Sequence, residues 1–77
     1  MAFNLVQNTD GSAEFEASGA SANTEFRFNF NGTQNAGFGR GSADTDRTYV
    51  ILQDSNGTDR YLYTTDGSVL TITSVRP

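Results

Sequence analysis

The residues that could carry chemistry in this 77-residue chain are mainly carboxylates, because the sequence contains no histidine and no cysteine. Their absence removes the commonest metal ligands and the usual nucleophile–base pairs. Glu14 and Glu16 alternate along one predicted strand, which indicates an exposed polar row rather than an acid–base pair across a sugar-sized cleft. We therefore expect no enzymatic activity and no cofactor.

One segment could hold a cation. Residues 54–59, DSNGTD, surround a glycine turn with oxygen atoms, as a calcium loop does. The segment lacks the further ligands and the bidentate glutamate of an EF-hand, and ordinary turn chemistry also accounts for its Asp and Asn. A two-residue loop would place Asp54 opposite Asp59, and that like-charged pair would need a cation or an arginine between them. The sequence leaves both readings open, and Asp44 and Asp46 offer no stronger site.

The charge balance narrows the classes of partner. Nine acidic residues stand against five arginines, with no lysine, for a net charge of −4. Such a chain is a poor match for nucleic acid or for an anionic membrane, since both attract clustered positive charge. Segment 37–41, GFGRG, is similar to a phosphate-binding loop, but no helix is predicted after it. The start of the chain lacks signal-peptide features, so we expect synthesis in the cytoplasm without signal-peptide secretion.

The elements that must position any site are β-strands. Alternating and β-branched residues predict one all-β domain over residues 1–77, a small antiparallel sandwich or barrel without a helix. About six strands are expected, near residues 2–7, 12–18, 25–31, 47–54, 58–64 and 68–75. Hairpin turns are expected at about 8–11, 55–58 and 65–68, and a glycine-rich loop at about 31–46.

Loop lengths set which residues share a face. Asn56-Gly57 and Asp66-Gly67 predict two-residue hairpin loops. In that register one face forms the core and carries Val50, Leu52, Tyr61, Tyr63, Leu70 and Ile72. The other face, with Tyr49, Ile51 and Leu62, is half apolar and would pack on the N-terminal strands or on another copy. A three-residue loop at Asp66 is the alternative, and it would move Leu70 and Ile72 to the face of Ile51 and Leu62.

The N-terminal half gives two further predictions. A three-residue loop at 9–11, with Gly11 in the left-handed region, pairs Leu5 with Phe15 and Phe3 with Ala17. Alternation across residues 25–31 places Phe26, Phe28 and Phe30 on one buried strand face.

Gly37-Phe38-Gly39, residues 48–58 (TYVILQDSNGT) and residues 60–67 (RYLYTTDG) resemble small β-structured virion proteins of tailed bacteriophages. An L-x-D-S-N-G-T-x-R-Y hairpin followed by a D-G turn is typical of capsid decoration proteins and of fibre or tail modules. The resemblance covers the C-terminal half and carries over no functional residues. It implies a viral structural protein of the virion, a capsid decoration or cement protein that binds the major capsid protein or other virion proteins, with a homotrimer favoured.

The candidate interface residues come from four parts of the chain. They are Phe38 and Arg40 in the predicted loop, Met1 and Phe3 at the terminus, Tyr49, Ile51 and Leu62 on the second face, and Arg76 in a C-terminal arm. One alternative is a tail, fibre or baseplate module that binds host glycan through Tyr49 with Asp44 or Asp46. The other is a small adaptor or inhibitor that pairs through a sheet edge.

Overall fold

The computed structural model describes residues 1–42, 47–65, 67 and 69–77, and within them seven antiparallel strands form two sheets. The part of the chain that is described contains no helix, and so none that could span a membrane. The predicted all-β class is confirmed.

The first sheet is a two-stranded hairpin. Strands β1 (Ala2–Gln7) and β2 (Ala13–Ser18) pair with Leu5 opposite Phe15 and Phe3 opposite Ala17. Gly11 has a φ of 93°, a value that costs an L side chain free energy but not glycine. The predicted three-residue loop and register of this hairpin are therefore confirmed.

The second sheet is a meander in which each strand pairs with the next along the chain. Its strands are β3 (Glu25–Phe30), β4 (Gln34–Arg40), β5 (Thr48–Gln53), β6 (Asp59–Thr64) and β7 (Leu70–Thr73).

Strand β4 corrects the prediction of an irregular loop at 31–46. Asn31 and Gly32 both have positive φ, 56° and 79°, and turn the chain so that Phe30 lies opposite Gln34. Residues 34–39 then pair with β3, and residues 36–40 pair with β5. Residues 43–46 of the predicted loop, including Asp44 and Asp46, lie outside the described residues.

The predicted registers of the two later hairpins are wrong by one residue. The N–H of Asp54 donates a hydrogen bond to the carbonyl of Thr58, and the N–H of Thr65 donates one to the carbonyl of Val69. Each loop is therefore three residues long. Because side chains alternate with a period of two, that one residue moves whole strands to the other face. Tyr61 and Tyr63 consequently lie with Ile51, while Leu70 and Ile72 lie with Leu62 and Val50.

The core lies on the face with the tyrosines. Tyr49, Ile51 and Tyr61 are buried, Tyr63 packs against them, and the rings of Tyr49 and Tyr61 meet edge to face at 5.4 Å. Gly39 makes room for this packing, because a Cβ atom there would lie 2.4 Å from the ring of Tyr49. The prediction that the core lies on the face of Val50 and Leu52, with Tyr49 and Ile51 on the second face, is therefore wrong.

Candidate functional site

The candidate site is the sheet face opposite the tyrosine core, which we call the open face. It presents apolar side chains from all five strands of the meander. Six of them are between 49% and 62% exposed: Phe28, Phe30, Phe38, Leu52, Leu70 and Ile72. Contiguous exposed apolar areas of this extent mark interaction sites, because a monomeric soluble protein rarely leaves them in water.

The molecule is less compact than a globular domain of its size. The chain exposes 5518 Å², whereas a compact protein of 8.3 kDa exposes about 4,600 Å². Its radius of gyration is 13.9 Å, against about 11.5 Å for a compact chain of this length. Stable domains pack at least two layers of secondary structure around one core. The excess area, about 900 Å², is close to what one partner buries in a standard interface.

The N-terminal hairpin borders the open face without covering it. The rings of Phe3 and Phe26 meet edge to face at 5.4 Å, and Thr24 donates a hydrogen bond to the sulfur of Met1. Between the hairpin side and the sheet lies a groove of about 760 Å³, lined by Ala17 and Phe26 among mostly apolar residues. Phe3, Leu5 and Phe15 on the hairpin are also exposed, so the apolar surface continues beyond the sheet.

None of the polar residues that the described strands place on the open face is an acid. By strand register they are Gln34, Arg40, Thr48, Arg60 and Thr64. Arg60 forms an ion pair with Asp54 at 2.9 Å, which compensates its charge. The acids of the meander strands, Glu25 and Asp59, lie on the tyrosine face instead. Within the described strands, the charged side chains of the open face are therefore Arg40 and Arg60, although the chain carries a net charge of −4.

The tyrosine face is closed by an ionic network around Glu25. Its Oε2 accepts a hydrogen bond from the hydroxyl of Tyr49 and pairs with Arg76, while its Oε1 pairs with Arg27 at 2.8 Å. Burial alone would raise the pKa of Glu25. The hydrogen bonds from Tyr49 and Arg27 and the charges of both arginines outweigh it and hold that pKa below its ordinary value. This network fastens the C-terminal tail over the core.

In the 54–59 turn, the alternative of a cation site is disfavoured because the protein itself occupies the carboxylates. Asp54 Oδ1 accepts hydrogen bonds from the N–H groups of Asn56 and Thr58, and its Oδ2 accepts one from Arg60. These bonds lower the pKa of Asp54, the one from Thr58 most strongly. Asp59 lies opposite Gln53 rather than Asp54 and pairs with Arg27 at 3.2 Å. Within the described ranges, no three acidic side chains converge as metal ligands would.

The structure brings some of the predicted interface residues together and separates others. Phe38, Arg40 and Leu62 share the open face, and Met1 and Phe3 lie beside it on the hairpin. Tyr49 and Ile51 are core residues of the opposite face. Arg76 also lies over that face, with its guanidinium 5.6 Å from the ring centre of Tyr61.

Sequence reasoning missed five of the six most exposed residues of the open face. Phe28 and Phe30 were assigned to a buried face, and Leu52, Leu70 and Ile72 to the core. The signal that could have found them was the recurrence of T-D-G-S at 9–12 and 65–68, because the first copy was already given a three-residue loop. The same loop length in the later hairpins gives the observed face.

Comparisons of the chain with protein-family models, with curated proteins and with solved structures found no match.

Proposed function

We propose that this chain is a non-enzymatic structural protein that functions in an assembly, burying its open face there. The observation that carries the proposal is the open face itself, with six large apolar side chains about half exposed or more. A protein working as an isolated monomer in water would gain stability by covering them.

The setting we propose is the virion of a tailed bacteriophage, as a capsid decoration or cement protein that binds and stabilises the assembled head. This part rests on the resemblance of residues 37–39, 48–58 and 60–67 to small phage virion proteins. The structure supports it in one respect. A one-layer slab with extents of 41 × 36 × 23 Å suits a protein that adds to a larger surface.

The alternative of a glycan-binding tail or fibre module is weaker. It relied on Tyr49 as an exposed aromatic beside Asp44 or Asp46, and Tyr49 is buried with its hydroxyl bonded to Glu25. Exposed aromatic residues do occur on the open face, but the described strands place no acid beside them to bind sugar hydroxyls.

The test is the composition of virus particles purified from cells that produce the chain. We expect the chain to remain with the particles through a density gradient, in a copy number comparable with that of the major capsid protein. A few copies per particle would instead assign it to the tail. Complete absence from particles would overturn the phage setting.

A further inference from the structure

The partner that best fits the open face is a second copy of this chain. We propose that two chains pack open face against open face and complete a β-sandwich around a shared apolar core. The inference deepens the proposed function and rests on its assignment of the open face as the assembly surface.

The first argument is area. An aromatic side chain offers about 200 Å², so Phe28, Phe30 and Phe38 together leave roughly 350 Å² exposed. Leu52, Leu70 and Ile72 have similar exposure and bring the face to roughly 600 Å² of apolar area. A standard interface buries about 800 Å² per partner and is slightly more than half apolar, which requires about 450 Å². The open face meets that requirement on its own.

The second argument is self-complementarity. A two-fold interface brings the same patch of both copies together, so every group must tolerate its own kind opposite. Apolar side chains do so without cost, whereas charges of one sign repel. The described strands place no acid on the open face, and Arg60 there is already paired with Asp54. The other arginine of the face, Arg40, is the last residue of β4 and lies at the end of that strand. The acids Glu25 and Asp59, which would repel their counterparts, point to the other side of the sheet.

The third argument is layer geometry. Two sheets that pack face to face lie about 10 Å apart, and their inward side chains interdigitate. The groove of about 760 Å³ beside Phe26 and Phe38 leaves room for side chains of the second copy. Phe3, whose ring packs against Phe26, would add to the same interface.

The test combines molar mass with matched charge substitutions. Phe38→Asp and Leu52→Asp place a carboxylate on the open face, and Val75→Asp places one at an exposed apolar residue outside it. We expect light scattering to give a two-chain mass for the wild type and for Val75→Asp, and a one-chain mass for the two open-face variants. Circular dichroism checks that each variant keeps its strands.

A second measurement does not depend on the folding of the aspartate variants. The chain has no cysteine, so Leu52→Cys and Val75→Cys each supply one unique thiol. Rising protein concentration should slow labelling of the thiol at position 52 at least tenfold and leave that at position 75 unchanged. A labelling rate at position 52 that does not change with protein concentration would overturn the inference.

The outcomes separate the inference from the proposed function. A wild-type monomer at all concentrations, a three-chain mass, or open-face variants that keep the wild-type mass would each overturn the face-to-face pair. A monomer that still co-purifies with phage particles would leave the proposed function standing. A pair that forms in solution but is absent from particles would support the inference and remove the phage setting.

Discussion

Tyr49 lies in the core and donates a 2.5 Å hydrogen bond to Oε2 of Glu25. The same oxygen pairs with Arg76 at 3.0 Å, so one carboxylate joins the buried ring to the last residues of the chain. Asn23 completes the closure, because its side-chain amide donates hydrogen bonds to the hydroxyl of Tyr49 and to the carbonyl of Pro77. The stability of the tyrosine face should therefore depend on the charge of Glu25.

Acid should weaken the fold through Glu25. Its pKa is lowered in the folded chain from an ordinary value of 4.5, so its contribution is complete above pH 4.5 and is lost as the pH falls through the lowered pKa. Glu25→Gln should reduce the free energy of unfolding at pH 7 by about 1.5–3 kcal/mol, the usual contribution of a hydrogen bond to a charged group. Urea unfolding at pH 7 and pH 3 measures this, and the difference from wild type should shrink at pH 3.

Glu14→Gln is the matched control for that experiment, because Glu14 lies on the exposed hairpin. Its unfolding curve should follow the wild type at both pH values. Equal stability of Glu25→Gln and wild type at pH 7 would show that the network contributes nothing.

Gly39→Ala should lower the free energy of unfolding when Tyr49 is present, but not when its ring has been removed. A Cβ at position 39 would lie 2.4 Å from the Tyr49 ring, so the single substitution should cost about 1–3 kcal/mol through overpacking. In a Tyr49→Ala background the ring is gone, and alanine should then be neutral or stabilise the strand by up to about 1 kcal/mol over glycine. Urea unfolding of the wild type, the two single variants and the double variant completes this double-mutant cycle. If the two substitutions change the free energy of unfolding additively, the contact between Gly39 and the Tyr49 ring is contradicted.

Calcium should not stabilise the 54–59 turn. Both oxygens of the Asp54 carboxylate already accept hydrogen bonds from the turn and from Arg60. Calcium chloride at about 5 mM, above the Kd range of extracellular calcium modules, should leave the Tm unchanged. Asp54→Ala should lower the Tm, whereas Ser55→Ala should not. A rise in Tm with calcium that Asp54→Ala abolishes would contradict this account.

Gly57, the third residue of the loop at 55–57, should be required only for its backbone conformation. Gly57 has a φ of 84°, and a Cβ there would meet no atom within 4 Å. Gly57→Ala should therefore cost about 1 kcal/mol, the strain of a left-handed L residue. Gly57→Asn should cost less, because asparagine tolerates this region. Thermal unfolding of both variants tests whether Gly57→Ala lowers the stability more than Gly57→Asn. Equal losses of stability would indicate a lost contact and not backbone strain.

Much of the fold could be predicted from sequence because alternating apolar and polar residues indicate β-strands and glycines indicate turns. The hairpin pairing of Leu5 with Phe15 and the shared face of Phe26, Phe28 and Phe30 were both found in the structure. Strand β4 was missed because glycines at 37 and 39 interrupt its apolar pattern. Its turn, Asn31-Gly32, carried the same signal that was recognised at Asn56-Gly57.

The open face could not be predicted because it depends on single-residue differences in loop length. The sequence of residues 55–57 suits a two-residue or a three-residue loop, and local preference separates them by little. The choice nevertheless decides whether Tyr61 or Leu62 lies beside Ile51. The edge-to-face contact of Tyr49 with Tyr61 exists in the observed register, and it joins residues that lie in different strands.

The meander has a consequence for how the molecule forms. Every strand of the five-stranded sheet pairs with its neighbour along the chain, so the contacts that define the sheet are local in sequence. Local contacts close small loops and lead to fast folding. Each chain should therefore form its sheet rapidly and at a rate independent of concentration, and association should follow as a separate bimolecular phase. Between sheet formation and association, the open face of each chain is exposed and can aggregate. Slow dilution from denaturant should therefore give a higher yield of native protein than rapid dilution.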